Sequence, residues 1–198
     1  MKFKVGDQTD GALCAVLAHE FLLCTESFER FAHFGKLNIL GKRDKRTKIS
    51  SHNAYARFLH HLYEFYVGCW KRDRHDTSDI PCTMRDQMFN AEVVKLLKNK
   101  IDAIKGGYAP IWENHISAYQ IEVPSNFGEQ LRQVRNRTAH SSIKRSACGT
   151  DLSLAKFYEA CHPFVYLLYY VGQGMWTVKD IEAYDWKEIE QFDLAIQG

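Results

Sequence analysis

The stretch NFGEQLRQVRNRTAHSSIKR, residues 126–145, sets the reading of the chain. As an α-helix it places Phe127, Leu131, Val134 and Thr138 at i, i+4, i+7 and i+11, a narrow stripe fit to face a core. At about 100° per residue, Arg132, Asn136 and His140 align on the far side, and Arg135 stands on the shoulder between the two faces. Asn126 is the expected N-cap, with Glu129 completing a capping box. A helix anchored on one face would thus present arginines, an amide and an imidazole on the other. Side chains on such a free face are expected to cost within about 0.5 kcal/mol of stability when truncated.

The helical period continues on both sides. Residues 110–120 read as a short helix carrying Ile111, Trp112 and Tyr119, ended by IEVP (121–124), where Pro124 disfavours helix before it. Residues 84–105 read as a helix with Met88, Val93 or Val94, Leu96, Leu97, Ile101 and Ile104 inward, stopped at Gly106–Gly107. Residues 51–72 carry a broad core face of Tyr55, Phe58, Leu59, Leu62, Tyr66 and Trp70. The first helix, 12–34, runs through Leu13, Val16, Leu17, Phe21, Cys24, Phe28 and Phe31, with Asp10 as cap and Gly35 as stop. The basic stretch 35–49 is expected to be a solvated connector, and 73–83 a polar turn around Pro81. After the opening stretch, Thr150 or Asp151 caps a helix over 151–171, with Leu154, Phe157, Cys161, Phe164, Val165 and Leu168 inward and a kink at Pro163. Thr177 and Asp180 cap a short terminal segment bearing Trp186, Ile189 and Phe192. Strand signals are few and no repeat or linker intervenes. The expected fold is all-α: one domain over 1–198, a bundle of five to six helices.

Composition agrees with that picture. The chain has 198 residues, 45% of them apolar, enough for a sizeable core, and its 12 Phe, 10 Tyr and 4 Trp predict a ring-filled interior. A net charge of +2 does not by itself mark a nucleic-acid binder, although 41–48 and 131–137 are locally basic. The six cysteines show no CxxC and no zinc spacing, and read as free thiols in a reducing cytoplasm. The His60–His61 doublet invites a metal, but no acidic or cysteine partner recurs at ligand spacing, so neither a metal site nor a cofactor is expected. Met1–Asp10 does not resemble a signal peptide and the apolar run Pro163–Val171 is too short to span a bilayer, so a cytoplasmic protein without membrane attachment is expected.

Residues 135–140 read R-N-x-x-x-H, which resembles the Rx4-6H signature of the HEPN superfamily (higher eukaryotes and prokaryotes nucleotide-binding domains). Arg46 to His52 also fits the bare spacing, but it lies in the basic connector without an apolar stripe to fix it. The 135–140 match has Asn directly after the Arg, as in many family members, and sits late in the chain on a well-patterned helix. The resemblance implies a small all-α bundle and, for many members, metal-independent endoribonuclease activity in toxin–antitoxin, phage-defence or CRISPR systems. It also implies a homodimer that brings two copies of the motif helix to one phosphate. Ser142 stands where some family toxins carry a tyrosine two places after the histidine, so regulation through such a tyrosine is not implied.

The residue types suit that chemistry independently. RNA can be cleaved by its own 2′-hydroxyl, so a group titrating near pH 6.5 and cationic donors for the phosphorane suffice. Arg135, Asn136 and His140 are the expected catalytic residues, and Arg132, Arg137, Lys144 and Arg145 the expected RNA contacts. The expected partners are RNA, a second copy of the chain, and an antitoxin or other defence-system protein. Two other readings stay open: a non-catalytic HEPN-like module that binds RNA, nucleotide or protein, and a structural or regulatory helical bundle with a coincidental motif.

Overall fold

A computed structural model describes residues 1–139, 152–175 and 181–197. Among them the chain is all-helical, with α1 Gln8–Ile39, α2 Lys45–Asp73, α3 Cys82–Lys105, α4 Phe127–Ala139, α5 Leu154–Met175 and α6 Lys187–Gln197. One isolated bridge, Lys2 to Asp76, ties the N-terminal segment to the turn after α2.

Helices α1, α3, α4 and α5 are arranged around α2. Besides Tyr55, Phe58, Leu59, Leu62, Tyr66 and Trp70, it buries Tyr63, Phe65 and Val67. A helix apolar on so many sides must be enclosed. α1 lies along it, closest at Gly68, where a Cβ would stand 2.5 Å from Leu17 Cδ2. On another flank Phe89 of α3 meets Tyr63 and Trp70 at ring distances of 4.9 and 4.7 Å. α5 adds Phe157, Phe164, Val165 and Leu168 to the same core, and the Tyr66 hydroxyl donates to the Leu168 carbonyl at 2.8 Å. An 18-residue window of α1 reaches a mean hydropathy of 1.3, which by length and composition would suffice to cross a membrane. Its Leu17, Phe21 and Cys24 are buried in this core.

Several boundaries depart from those expected. Asp7, not Asp10, caps α1 by accepting from the Asp10 amide at 2.9 Å. Asp10 is itself buried and accepts from Arg72 of α2 at 2.7 Å and from the Gly6 amide at 2.8 Å, which hold its carboxyl below the usual range. α1 continues through Gly35 to Ile39, and α2 begins at Lys45, so the connector shrinks to 40–44. Arg46 is therefore helical and exposed, as is His52. Residues 110–120 form only a 3-10 turn, Ile116–Ala118, with Ile111 and Trp112 exposed. Lys100 and Tyr119 instead converge on the Glu113 carboxylate, a polar tie in place of an apolar stripe. In α3 it is Val93 that is buried and Val94 that faces outward, while Phe89 supplies the main ring. α5 runs through Pro163 without a break and is capped by Ser153, whose hydroxyl accepts from the Lys156 amide at 3.1 Å. Thr150, Asp151, Thr177 and Asp180 lie outside the described residues. Trp186 packs on His19, whereas Ile189 and Phe192 of α6 are exposed.

α4 shows the expected stripe: Phe127, Leu131 and Val134 are buried and Thr138 is half-buried. Its start differs. Asn126 accepts from the Gln130 side chain and Glu129 from that of Gln133, so neither closes a capping box. The cap comes from α3, where Asn90 accepts from the Gly128 amide at 2.7 Å and donates to the Ser125 carbonyl. Gly128 makes this possible, because a Cβ there would sit 2.2 Å from the Asp86 carbonyl oxygen. Alanine is intrinsically the better helix former, yet Gly128→Ala is expected to destabilise by about 2–3 kcal/mol through backbone overpacking. A thermal melt with an unchanged or raised midpoint would count against this close approach.

Candidate functional site

α4 carries its polar residues into contact with two different helices. Arg132 turns to α3 and grips Asp86 with Nε at 2.9 Å and Nη2 at 2.8 Å, a two-pronged pairing. Arg135 turns to α2. Its Nη2 donates to Glu64, its Nη1 donates to the Asn136 amide oxygen at 2.8 Å, and its guanidinium lies 5.2 Å from the centre of the Tyr63 ring. Asn136 therefore orients Arg135 within the chain. Burial moves the Arg135 pKa below its ordinary value, with Tyr63 and Glu20 opposing. Arg137 donates to the Leu152 carbonyl, joining the last turn of α4 to the start of the α5 segment. His140, Lys144 and Arg145 lie outside the described residues.

Sequence periodicity missed two members of this cluster. Glu64 is one: it stands four residues after His60 and seven after Arg57, and that polar ladder on an otherwise apolar helix was the signal available. Arg85 of α3 is the other. It stands 5.8 Å from the centre of the same Tyr63 ring and has no hydrogen-bond partner among the described residues. No sequence signal marks it, because only tertiary packing brings it to α4. Buried polar atoms without a partner among the described residues gather here: Nε of Arg85 and Arg135, the Tyr63 hydroxyl and Nδ1 of His60.

Beside the last turn of α4 a cavity of about 640 Å³ opens between α1 and α2, lined by Arg30, Asn53, Arg57, His60, Thr138 and Ala139 among others. Burial first, then the Arg135 charge and His61, push the His60 pKa down, so its ring is neutral at pH 7. His61 pairs with Glu20 of α1 at 2.8 Å. Among the described residues no group of three or more His, Cys, Asp or Glu is placed to hold a metal ion.

No protein-family model, curated protein or solved structure matches the chain. The site is therefore read from its own chemistry. Three arginines, Arg85, Arg132 and Arg135, surround Tyr63, with two carboxylates, Asp86 and Glu64, paired to two of them. One positive charge, that of Arg85, is left over at the Tyr63 ring, while the paired Arg135 stands near enough to His60 to disfavour its charged form, one turn before the cavity-lining Thr138 and Ala139. An arrangement of that kind can receive an anion and move a proton beside it.

Proposed function

We propose that the chain is a HEPN-like, metal-independent endoribonuclease that cleaves RNA by attack of its own 2′-hydroxyl. The observation that carries this reading is the placement of Arg135: oriented by Asn136 and Glu64, stacked over Tyr63, one turn before the cavity-lining Thr138 and Ala139. His140 follows Ala139 in the chain and is assigned the proton transfers. Arg135 steadies charge on the scissile phosphate, with Arg85 as a further donor. Arg137, Lys144 and Arg145 are assigned to the strand, while Arg132 is already committed to Asp86. The biological setting that fits is a cytoplasmic toxin or antiviral effector with a neutralising or defence-system partner.

In-line displacement needs proton transfer on both sides of the phosphorus, and two copies of α4 facing one another would supply it. A homodimer with residues 131–145 near its axis is expected by light scattering at micromolar concentration. A monomer with full RNase activity would dismiss the composite site. The direct test is labelled RNA incubated with pure protein in EDTA beside His140→Ala: cleavage by the first and none by the second is expected.

A second reading is favoured by one observation. Glu64 already occupies the Arg135 guanidinium, as in a structural ion pair. On that reading the chain binds RNA, nucleotide or protein without cleaving it, and the same assay returns intact RNA.

A further inference from the structure

The cavity between α1 and α2 has features that folding alone does not require. Arg30 of α1 and Arg57 of α2 both reach it, both are exposed, and neither has an ion-pair or hydrogen-bond partner among the described residues. They stand on the two helices that bound the cavity, so it is lined by two cations and one acid, Glu26 of α1. His60 lines the same space with a buried Nδ1 that has no partner among the described residues, and its neutral ring can donate or accept. Volumes of roughly 300–1,000 Å³ are typical of small-molecule sites, and about 640 Å³ falls within that range.

The cavity also continues. Arg30 and Glu26 line both it and a second, more open hollow of about 450 Å³, which runs along α1 past Glu29 and His33 to the half-buried Phe34. With two carboxylates there, it is the ring and not the backbone charge that this part offers a strand. A single free nucleotide would not need this extension. A strand would: a phosphate at the Arg30–Arg57 pair, one base in the cavity against Asn53 and Glu26, and the next on the face of Phe34.

We infer that this groove is the path of a single-stranded RNA, with Arg30 and Arg57 holding a backbone phosphate in the cavity that the last turn of α4 also lines. The inference takes the identity of the ligand from the ribonuclease reading, but binding is measured apart from cleavage. The probe is a fully 2′-O-methylated oligoribonucleotide, which lacks the attacking hydroxyl, titrated by fluorescence anisotropy at several salt concentrations.

Arg30→Gln with Arg57→Gln is expected to weaken binding at least about tenfold and to flatten the logarithmic salt dependence by about one phosphate contact. Both side chains are exposed, so the melting midpoint should hold. Lys98→Gln with Lys105→Gln on α3 removes the same charge elsewhere and is expected to change affinity less than about threefold. Unchanged affinity in the Arg30/Arg57 variant overturns the proposal, as does an equal loss in the lysine variant or no binding by the wild type. Adenosine monophosphate and inorganic phosphate form the other arms. Arginine-dependent binding of either, without binding of the oligonucleotide, also overturns the strand path in favour of a free-anion pocket. Arginine-dependent oligonucleotide binding in a protein that does not cleave RNA upholds the groove and removes the nuclease reading. Cleavage with arginine-independent binding does the reverse.

Discussion

Arg135→Ala is expected to lower RNA cleavage by about two to three orders of magnitude, the usual loss when a donor to a developing oxyanion is removed. It is also expected to lower stability, which the sequence pattern did not suggest. Placed on the shoulder of α4, Arg135 reads as a free surface residue costing little on truncation. Instead it is half-buried, stacked over Tyr63 and paired with Glu64, whose side chain is 29% exposed. Breaking a fully buried pair costs about 3–5 kcal/mol; partial exposure of both partners reduces this to about 1–2 kcal/mol. A second substitution separates catalysis from packing. Glu64→Gln breaks the same ion pair but leaves the guanidinium in place, with Asn136 and the Gln carbonyl still able to accept from it, so comparable destabilisation with a much smaller loss of cleavage is expected. If Glu64→Gln and Arg135→Ala lose cleavage in proportion to their loss of stability, Arg135 is a structural cation. His140→Ala is expected to cost about 10²–10⁴ in rate.

The contrast between Arg135 and its helix shows what a sequence pattern can report. Phe127, Leu131 and Val134 were legible because period along one helix depends on that helix alone. The all-α class was legible for the same reason, repeated over most of the chain. α2 was only half legible: Tyr55 through Trp70 marked one broad face, but enclosure on the other flanks depends on α1, α3 and α5 arriving there. Caps failed where a neighbour supplied the hydrogen bond. Asn126 and Glu129 have the right types at the right spacing, yet Asn90 of α3 takes the Gly128 amide. Asp10 similarly has the type of a cap and serves as the buried partner of Arg72. Within the candidate site, Arg135 and Asn136 were legible as a motif, and the structure joins them by a hydrogen bond. Glu64 and Arg85, which reach the Arg135–Tyr63 cluster, and Arg30 and Arg57, which line the cavity beside it, belong to other helices, and their placement is a property of packing.

The largest expected effect concerns the substrate. RNA should be cleaved in EDTA to a 2′,3′-cyclic phosphate and a 5′-hydroxyl, while DNA and RNA methylated at the 2′-oxygen should resist wholly. The argument is one of donors. A two-metal hydrolase holds its ions with clustered carboxylates, and among the described residues three acids at α4 already have another task. Asp86 is gripped by Arg132, Glu64 holds Arg135, and Glu129 accepts from Gln133. What the cluster does offer is positive charge from Arg85 and Arg135, beside a histidine in the chain for proton transfer. Those groups can steady and protonate oxygens, but none of them is a ready nucleophile at phosphorus. The attacking oxygen must then come from the substrate, and only an unmodified ribose carries it. Mass spectrometry of the products reads this directly: a 3′-hydroxyl with a 5′-phosphate, DNA cut at a comparable rate, or activity lost on chelation would each require a different chemistry at the same helix.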